Sequence, residues 1–445
     1  MRPLKKTDLF NYGILAFPLS IAGLPLYLQA PDLYATERGV SLALMGIVLL
    51  GLRFFDAIQD PLIGRLSDRF QRNRNLIMGG GTITLCIGLF ALMNPPAEAG
   101  IIWFSIWIAL SATAYSIATI NLNTVGGLWS SNRFERTRIV TIREGLAISG
   151  VLFGVVTPAV LALWLGRALG FQIFSLIIAA ILLLAWIRYR RWSREHNPSS
   201  AVSQMEAQPT AAHFASFPKE SGTRKLLFVS QLGALASAFP AVLFLLFVRE
   251  RLGMDEWSWL FLLLYFGAAI VGFSFCKNLS RKVGKVAAWR ITIWGSIIAF
   301  SGALFAGENS GILFGIVCLG SGFFLGGDVI FPNSLMADRV GKNTDGRRTA
   351  SSAFAWLSFI YKFALGLAAA VAFSVLEFVG FKSGTTHGAG VLMVLTFLYA
   401  ALPIILKIAT ALLLKTWQQN LEGNEIYEKT NSNELGSDRC HDFST

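Results

Sequence analysis

The chain carries charge inside apolar sequence, and the spacing of those charges is its first chemical signal. The run Leu52-Arg53-Phe54-Phe55-Asp56-Ala57-Ile58-Gln59-Asp60-Pro61 puts Arg53, Asp56 and Asp60 at i, i+3 and i+7, one face of a helix. Charge at the centre of a bilayer costs roughly 2.5–3.5 kcal/mol per residue on insertion scales. Such a stripe must therefore face the protein interior or a water-filled cavity. Two acids one turn apart, with a single arginine beside them, leave one net negative charge. That pair can ligate a hard cation such as Na⁺ through oxygen, or hold a proton. Pro61 removes a backbone hydrogen bond next to Asp60 and frees a carbonyl as a further ligand. An internal salt bridge that only locks helices is the alternative, but it needs no second acid.

Other charges extend the pattern. Lys362 lies in the apolar run Ile360-Tyr361-Lys362-Phe363-Ala364. An ammonium there needs an acid, and Asp56 and Asp60 are the obvious candidates, either in competition with the bound ion or as a static pair. Asp328 lies within another apolar stretch, as a gating contact or a loop partner, and Asp338 ends that stretch. Arg143 and Glu144 fall one turn into a fifth, placed to touch a solute or to pair with loop charges. Segments 65–74 and 335–349 are dense in opposite charges. Asp68 with Arg69, and Asp338 with Arg347 and Arg348, can hold one gate state and break in another. Ser111, Thr113, Tyr115, Ser116, Thr119, Asn121, Asn123 and Thr124 crowd one stretch with hydroxyls and amides. These suit a neutral polar solute such as a polyol, or contacts between helices. Thr119, Asn121 and Asn123 are the solute-lining candidates.

The elements that must position these residues are membrane helices. Of the 445 residues, 54% are hydrophobic and only 14% charged, with a mean hydropathy of +0.57. A soluble domain carries about 25% charged residues, so soluble multidomain architectures are excluded. Stretches of about 20 apolar residues span a bilayer. Twelve occur, at 9–30, 41–64, 75–94, 101–126, 140–164, 168–187, 226–248, 257–276, 287–306, 311–333, 351–378 and 389–414. The expected fold is all-α, with twelve transmembrane helices. Of the 38 Lys and Arg, 29 lie in or at the edge of the alternate segments that begin with the N-terminus, and five lie in the others. That bias places both termini in the cytoplasm. It also accounts for the net charge of +12 without nucleic acid.

The sequence repeats itself. Leu66-Ser67-Asp68-Arg69 recurs as Leu279-Ser280-Arg281-Lys282, and Arg136-Thr137 as Arg348-Thr349. The expected organisation is a six-helix half at 1–187, a cytoplasmic linker at 188–225, a second half at 226–414 and a disordered cytoplasmic tail at 415–445. Paired halves place a solute site between them, near the membrane midplane.

The run from Arg53 through Asp56, Asp60-Pro61 and Gly64 to Asp68-Arg69 resembles the signature of the glycoside–pentoside–hexuronide:cation symporters. These form the melibiose permease group of the major facilitator superfamily. Asn11-Tyr12-Gly13, Glu135-Arg136-Thr137-Arg138, Met336-Ala337-Asp338 with Gly346-Arg347-Arg348, and Tyr361-Lys362 are similar to the same family. The resemblance covers about residues 9 to 414. It implies the major facilitator fold, alternating access, and coupling to Na⁺, H⁺ or Li⁺. It implies that Asp56 and Asp60 bind the cation with Lys362 close by, and that Arg143 matches an arginine near the sugar. Galactoside-transporting members carry acids on helices 1 and 4. Here those positions fall on Ser20 and on Thr119 or Ile120, and a stacking tryptophan falls near Asn123. Galactoside transport is thereby put in doubt, while cation coupling is not.

The expected activity is cation-coupled symport of a small polar solute, a sugar or glycoside, in the inner membrane. A lipid-like or other non-sugar solute, an exporter, and a non-transporting sensor are the alternatives. The four histidines lie outside the apolar spans, and there is no phosphate loop, nucleophile elbow or zinc-helix motif. An enzyme or an ATP-driven pump is not expected, nor is any cofactor beyond the coupling ion. The partners expected are the solute, a monovalent cation and the lipid bilayer, and the working unit expected is a monomer.

Overall fold

The computed structural model describes residues 4–24, 30, 33–34, 42–96, 98–130, 132–196, 221–341, 349–381 and 388–422. The first helices are α1 (Lys6–Gly13), α2 (Ala16–Leu24), α3 (Leu42–Arg69), α4 (Arg74–Met93), α5 (Ile101–Leu128), α6 (Arg133–Leu165) and α7 (Arg167–His196). A second set follows: α8 (Ser221–Leu246), α9 (Ser258–Val283), α10 (Lys285–Ser301), α11 (Gly311–Val340) and α12 (Ala350–Phe378). The last are α13 (Ala389–Thr396), α14 (Leu402–Thr416) and the short α15 (Gln418–Glu422). Two π-helical turns, Phe247–Arg251 after α8 and Phe397–Ala401 between α13 and α14, meet through stacked rings of Phe247 and Tyr399 at 4.0 Å.

Backbone polar groups have no water to bond in hydrocarbon, so helices that satisfy them internally are the natural spanning element. Among the described residues, ten helices are long and apolar enough to cross a membrane. The two remaining expected spans correspond to α1 with α2 and to the 28-residue α3. Large apolar side chains such as Trp164, Ile312 and Phe378 stay exposed on the outside, as lipid contact requires.

Each set of helices packs a core of its own. One cluster draws on Leu9 through Trp192, and another on Ala238 through Ala400. A third cluster, mostly from α8–α14, takes in Val140 and Ile148 of α6. Close approach across the two sets depends on small residues. A Cβ at Gly64 of α3 would sit 2.8 Å from the Ser352 Cα and 2.9 Å from the Ser351 carbonyl oxygen of α12. Only glycine lets those backbones touch. Pro61 lies inside α3, one residue past Asp60.

Two boundaries differ from expectation. Helix α7 runs to His196 and α8 starts at Ser221, so both ends of the 188–225 segment are helical; residues 197–220 lie outside the described residues. Helix α15 also orders the start of the segment expected to be a disordered tail. Leu421 and Glu422 are buried. The Glu422 carboxylate accepts the Val286 N–H at 3.0 Å, and its carbonyl accepts Arg133 at 3.2 Å. Apolar packing and backbone caps, absent from any periodicity, hold it there. Residues 423–445 lie outside the described residues.

Candidate cation and solute site

Helix α3 carries Asp56 and Asp60 fully buried. Lys362 reaches them from α12. Its ammonium donates to Asp60 Oδ1 at 3.0 Å and lies 2.9 Å from Asp60 Oδ2 and 3.6 Å from Asp56 Oδ2. It also donates to Ser116 Oγ of α5 at 2.7 Å. Ser358, one turn before Lys362, donates to Asp60 Oδ2 at 2.7 Å. Gln59 donates to Asp56 Oδ1 at 2.6 Å and accepts from Thr113 at 2.8 Å. Three helices thus converge on two carboxylates and one ammonium. The Arg53 side chain lies outside the described ones.

The site backs onto a cavity of about 370 Å³ between the two helix sets. Ser20, Thr119, Asn123 and Arg143 line it, together with Glu144, Asn333 and Tyr361, and Lys362 joins its wall. Arg143 donates to Glu144 Oε1 through both Nε and Nη2. Asn121 is placed elsewhere. It is fully buried and donates to Ser67 Oγ of α3 at 3.0 Å and to the Ile117 carbonyl at 2.9 Å. Residues 119 and 123 are one turn apart on a helix, whereas 121 lies some 200° round from 119 at about 100° per residue. Helical period alone separates them.

At the basic end of the bundle the two helix sets close on each other. Asp68 accepts the N–H groups of Ser351 and Ser352 at 2.8 Å each and the Ser352 hydroxyl at 2.7 Å. It therefore caps the start of α12, where the helix dipole favours an anion. Arg74 stands 3.9 Å from Asp68 and donates to Ser351 Oγ. The expected partner, Arg69, is exposed and lies over the Phe70 ring. Asp338, buried, gathers Lys285 at 2.8 Å, Arg133 at 3.0 Å and Arg136 at 3.3 Å. The Arg347 and Arg348 expected beside it lie outside the described residues. Arg133 and Arg136 come from the first helix set and Asp338 from the second, so this is a clasp across the interface. Nothing in local spacing pointed to it, because the partners lie some 200 residues apart in sequence.

Asp328, expected as a gating contact or a loop partner, is met here by side chains of other membrane helices. Lys407 of α14 donates to its Oδ2 at 2.7 Å and to Ser296 Oγ at 3.0 Å, while Trp289 donates to its Oδ1 at 3.0 Å. Among the described residues, no group of three or more His, Cys, Asp or Glu is placed to hold a metal ion.

A shut basic end beneath a polar, ion-paired cavity is the geometry of a carrier between two access states. Residues 9–418 match the family described as MFS/sugar transport protein. The chain belongs to that family. It is a multi-pass membrane transporter, not an enzyme. It is 21% identical over 403 residues to the inner membrane symporter YicJ of Escherichia coli K12, covering 86% of this chain and 85% of that one. It is 23% identical over 393 residues to the putative glycoside/cation symporter YagG of the same organism, covering 84% and 83%. The fold is similar to a bacterial homologue of the iron transporter ferroportin in its outward-facing state (TM-score 0.71, 13% identity, 94% of this chain and 100% of that one). It is also similar to the Escherichia coli fucose:proton symporter FucP (TM-score 0.63, 12% identity, 91% and 97%).

Proposed function

We propose that the protein couples the inward movement of a monovalent cation to uptake of a small polar solute, a sugar or glycoside, across the inner membrane. The observation that carries this reading is a buried pair of carboxylates served by one tethered ammonium. Asp56 and Asp60 are wholly buried, and the side chain of Lys362, which balances one of them, is 15% exposed at the cavity. The lysine stands where a mobile cation would stand. Na⁺ or H⁺ entering the site neutralises one of the two acids and weakens their hold on Lys362, which turns toward the cavity. Solute then binds against Ser20, Thr119, Asn123, Arg143 and Tyr361. The halves rock about the filled site, the clasps of Asp68 and Asp338 break, and both ligands leave. The shut basic end is taken as the cytoplasmic one, with both termini on that side. Two six-helix halves, 1–187 and 226–414, and a monomeric working unit belong to the same proposal.

A polar solute is favoured by the hydroxyls, amides and Arg143–Glu144 pair that line the wall beside apolar Ala16, Leu19, Leu122, Ala147, Val329 and Leu357. The described lining contains no phenylalanine of the kind a lipid-like solute would pack on. The test is Na⁺ titration of purified protein, wild type against Asp60→Asn. Saturable Na⁺ binding that the variant loses supports a Na⁺ symporter. Proton uptake in Na⁺-free buffer, lost in the variant, supports proton coupling. Equal binding of either ion by both proteins refutes the assignment.

A further inference from the structure

Release of Lys362 raises a problem of charge. An ammonium set free in a low-dielectric cavity is costly unless an anion receives it. The two aspartates hold it less firmly once a cation sits between them, because the pair then keeps a single negative charge. Among the described residues lining the cavity, the carboxylate is Glu144. Its side chain is 17% exposed, much as that of Lys362 is. Arg143 engages it through a single oxygen, Oε1, which leaves Oε2 outside that pair. Tyr115, another lining residue, shares that wall with Glu144. Tyr361, next to Lys362 in sequence, lines the cavity with Glu144.

Building on the cation-site reading above, we infer that Glu144 is the alternate docking carboxylate for Lys362. In the ion-free state the ammonium rests on Asp60 and Ser116. In the ion-loaded state it crosses to Glu144 Oε2, where it joins Arg143 in framing the solute. Glu144 is a positioning residue here: it touches neither the coupling ion nor the acids that bind it. Its effect on ion affinity comes through the lysine alone. The same move explains an ordered cycle, because the solute wall is complete only after the ion has displaced Lys362.

A double-mutant cycle on the full-length protein tests this, since it isolates the interaction of two side chains. Ion binding is read by Na⁺ calorimetry and, in Na⁺-free buffer, by proton uptake. Glu144→Gln should weaken ion binding at least tenfold, because the released ammonium has lost its acceptor. Glu144→Asp, which keeps the charge, should restore most of the affinity. In a Lys362→Gln background, Glu144→Gln should change ion affinity less than twofold. An orphaned Arg143 is the one folding hazard, so Arg143→Gln/Glu144→Gln, which removes the pair together, must show the same dependence on Lys362. Equal weakening with and without Lys362 would overturn the inference, since Glu144 would then act by general electrostatics or packing. So would unchanged affinity in Glu144→Gln. Wild-type protein that binds no ion, or Asp60→Asn that binds as wild type does, would instead bring down the cation site itself, and this inference with it.

Discussion

Lys362 and Lys407 each hold an aspartate inside an apolar helix, yet the two arrangements have opposite character. Lys362 crosses from α12 to α3 and α5, from one helix set to the other, and faces two carboxylates. Lys407 stays within its own set. It faces one carboxylate, Asp328, whose second oxygen is closed by Trp289. The first cluster carries an excess negative charge among its described side chains and borders a cavity. The second is balanced one to one, and its charges are met by Ser296 and Trp289, both buried. A site that must take up and release an ion needs unbalanced charge on a movable interface. A balanced pair inside one rigid body can only fasten helices together. Charge inside a membrane helix therefore signals function, and stoichiometry with location says which function.

The most severe way to break this contrast is Asp60→Asn. Coupled accumulation should fall to the level of a gradient-free control, while solute exchange without a gradient continues, as measured in proteoliposomes. Accumulation at the wild-type level would remove the reason for treating the two clusters differently.

Asp328→Asn should act on stability instead. Breaking a buried pair leaves one charge uncompensated and costs about 3–5 kcal/mol, seen as a large drop in melting temperature in detergent. Asp328→Leu with Lys407→Met should recover much of it, because the pair is replaced by apolar groups of similar size. Ion affinity of the double variant should match that of the wild type; a large change there would make Asp328 part of the ion path.

Lys362→Gln sharpens the contrast from the other side. Removing the tethered competitor should tighten ion binding about tenfold, equivalent to about 1.4 kcal/mol, with a melting temperature lowered in ion-free buffer and recovered when the ion is added. Weaker binding in a titration would mean that the lysine helps to hold the ion.

The smallest effects come from the two hydroxyls. Ser116→Ala and Ser296→Ala each remove one hydrogen bond to a lysine, worth about 0.5–1.5 kcal/mol. The first should appear as a few-fold change in ion affinity and the second as a small loss of thermal stability. Exchanged readouts would reverse the assignment of the two clusters.

Much of the site was legible because charge in apolar sequence demands a reason. Asp56, Asp60 and Lys362 are conspicuous in the chain, and the structure brings them together. Hydroxyls are not conspicuous in that way. Ser105 and Thr124 bond carbonyls one turn back in their own helices, whereas Ser358 and Ser116 reach across to Asp60 and Lys362, and the residue types do not tell these cases apart. Asn121 was separable from Thr119 and Asn123 by helical period, so its true place was within reach of sequence reasoning. Asp328 was visible as a buried charge, but Lys407, Trp289 and Ser296 lie on other helices.

The sequence by itself determined the helices, their spanning lengths and a pair of acids one turn apart in an apolar span, because hydropathy and helical period act over a few turns of chain. Pairing was left to the tertiary structure. It gave Asp68 to the amides of Ser351 and Ser352 rather than to Arg69, and Asp338 to Arg133, Arg136 and Lys285. It also folded Glu422 back onto the start of α10. Those choices depend on which helix faces lie opposite each other once the bundle closes, and on close approaches such as that at Gly64. Neither is set by the chain within a single helix.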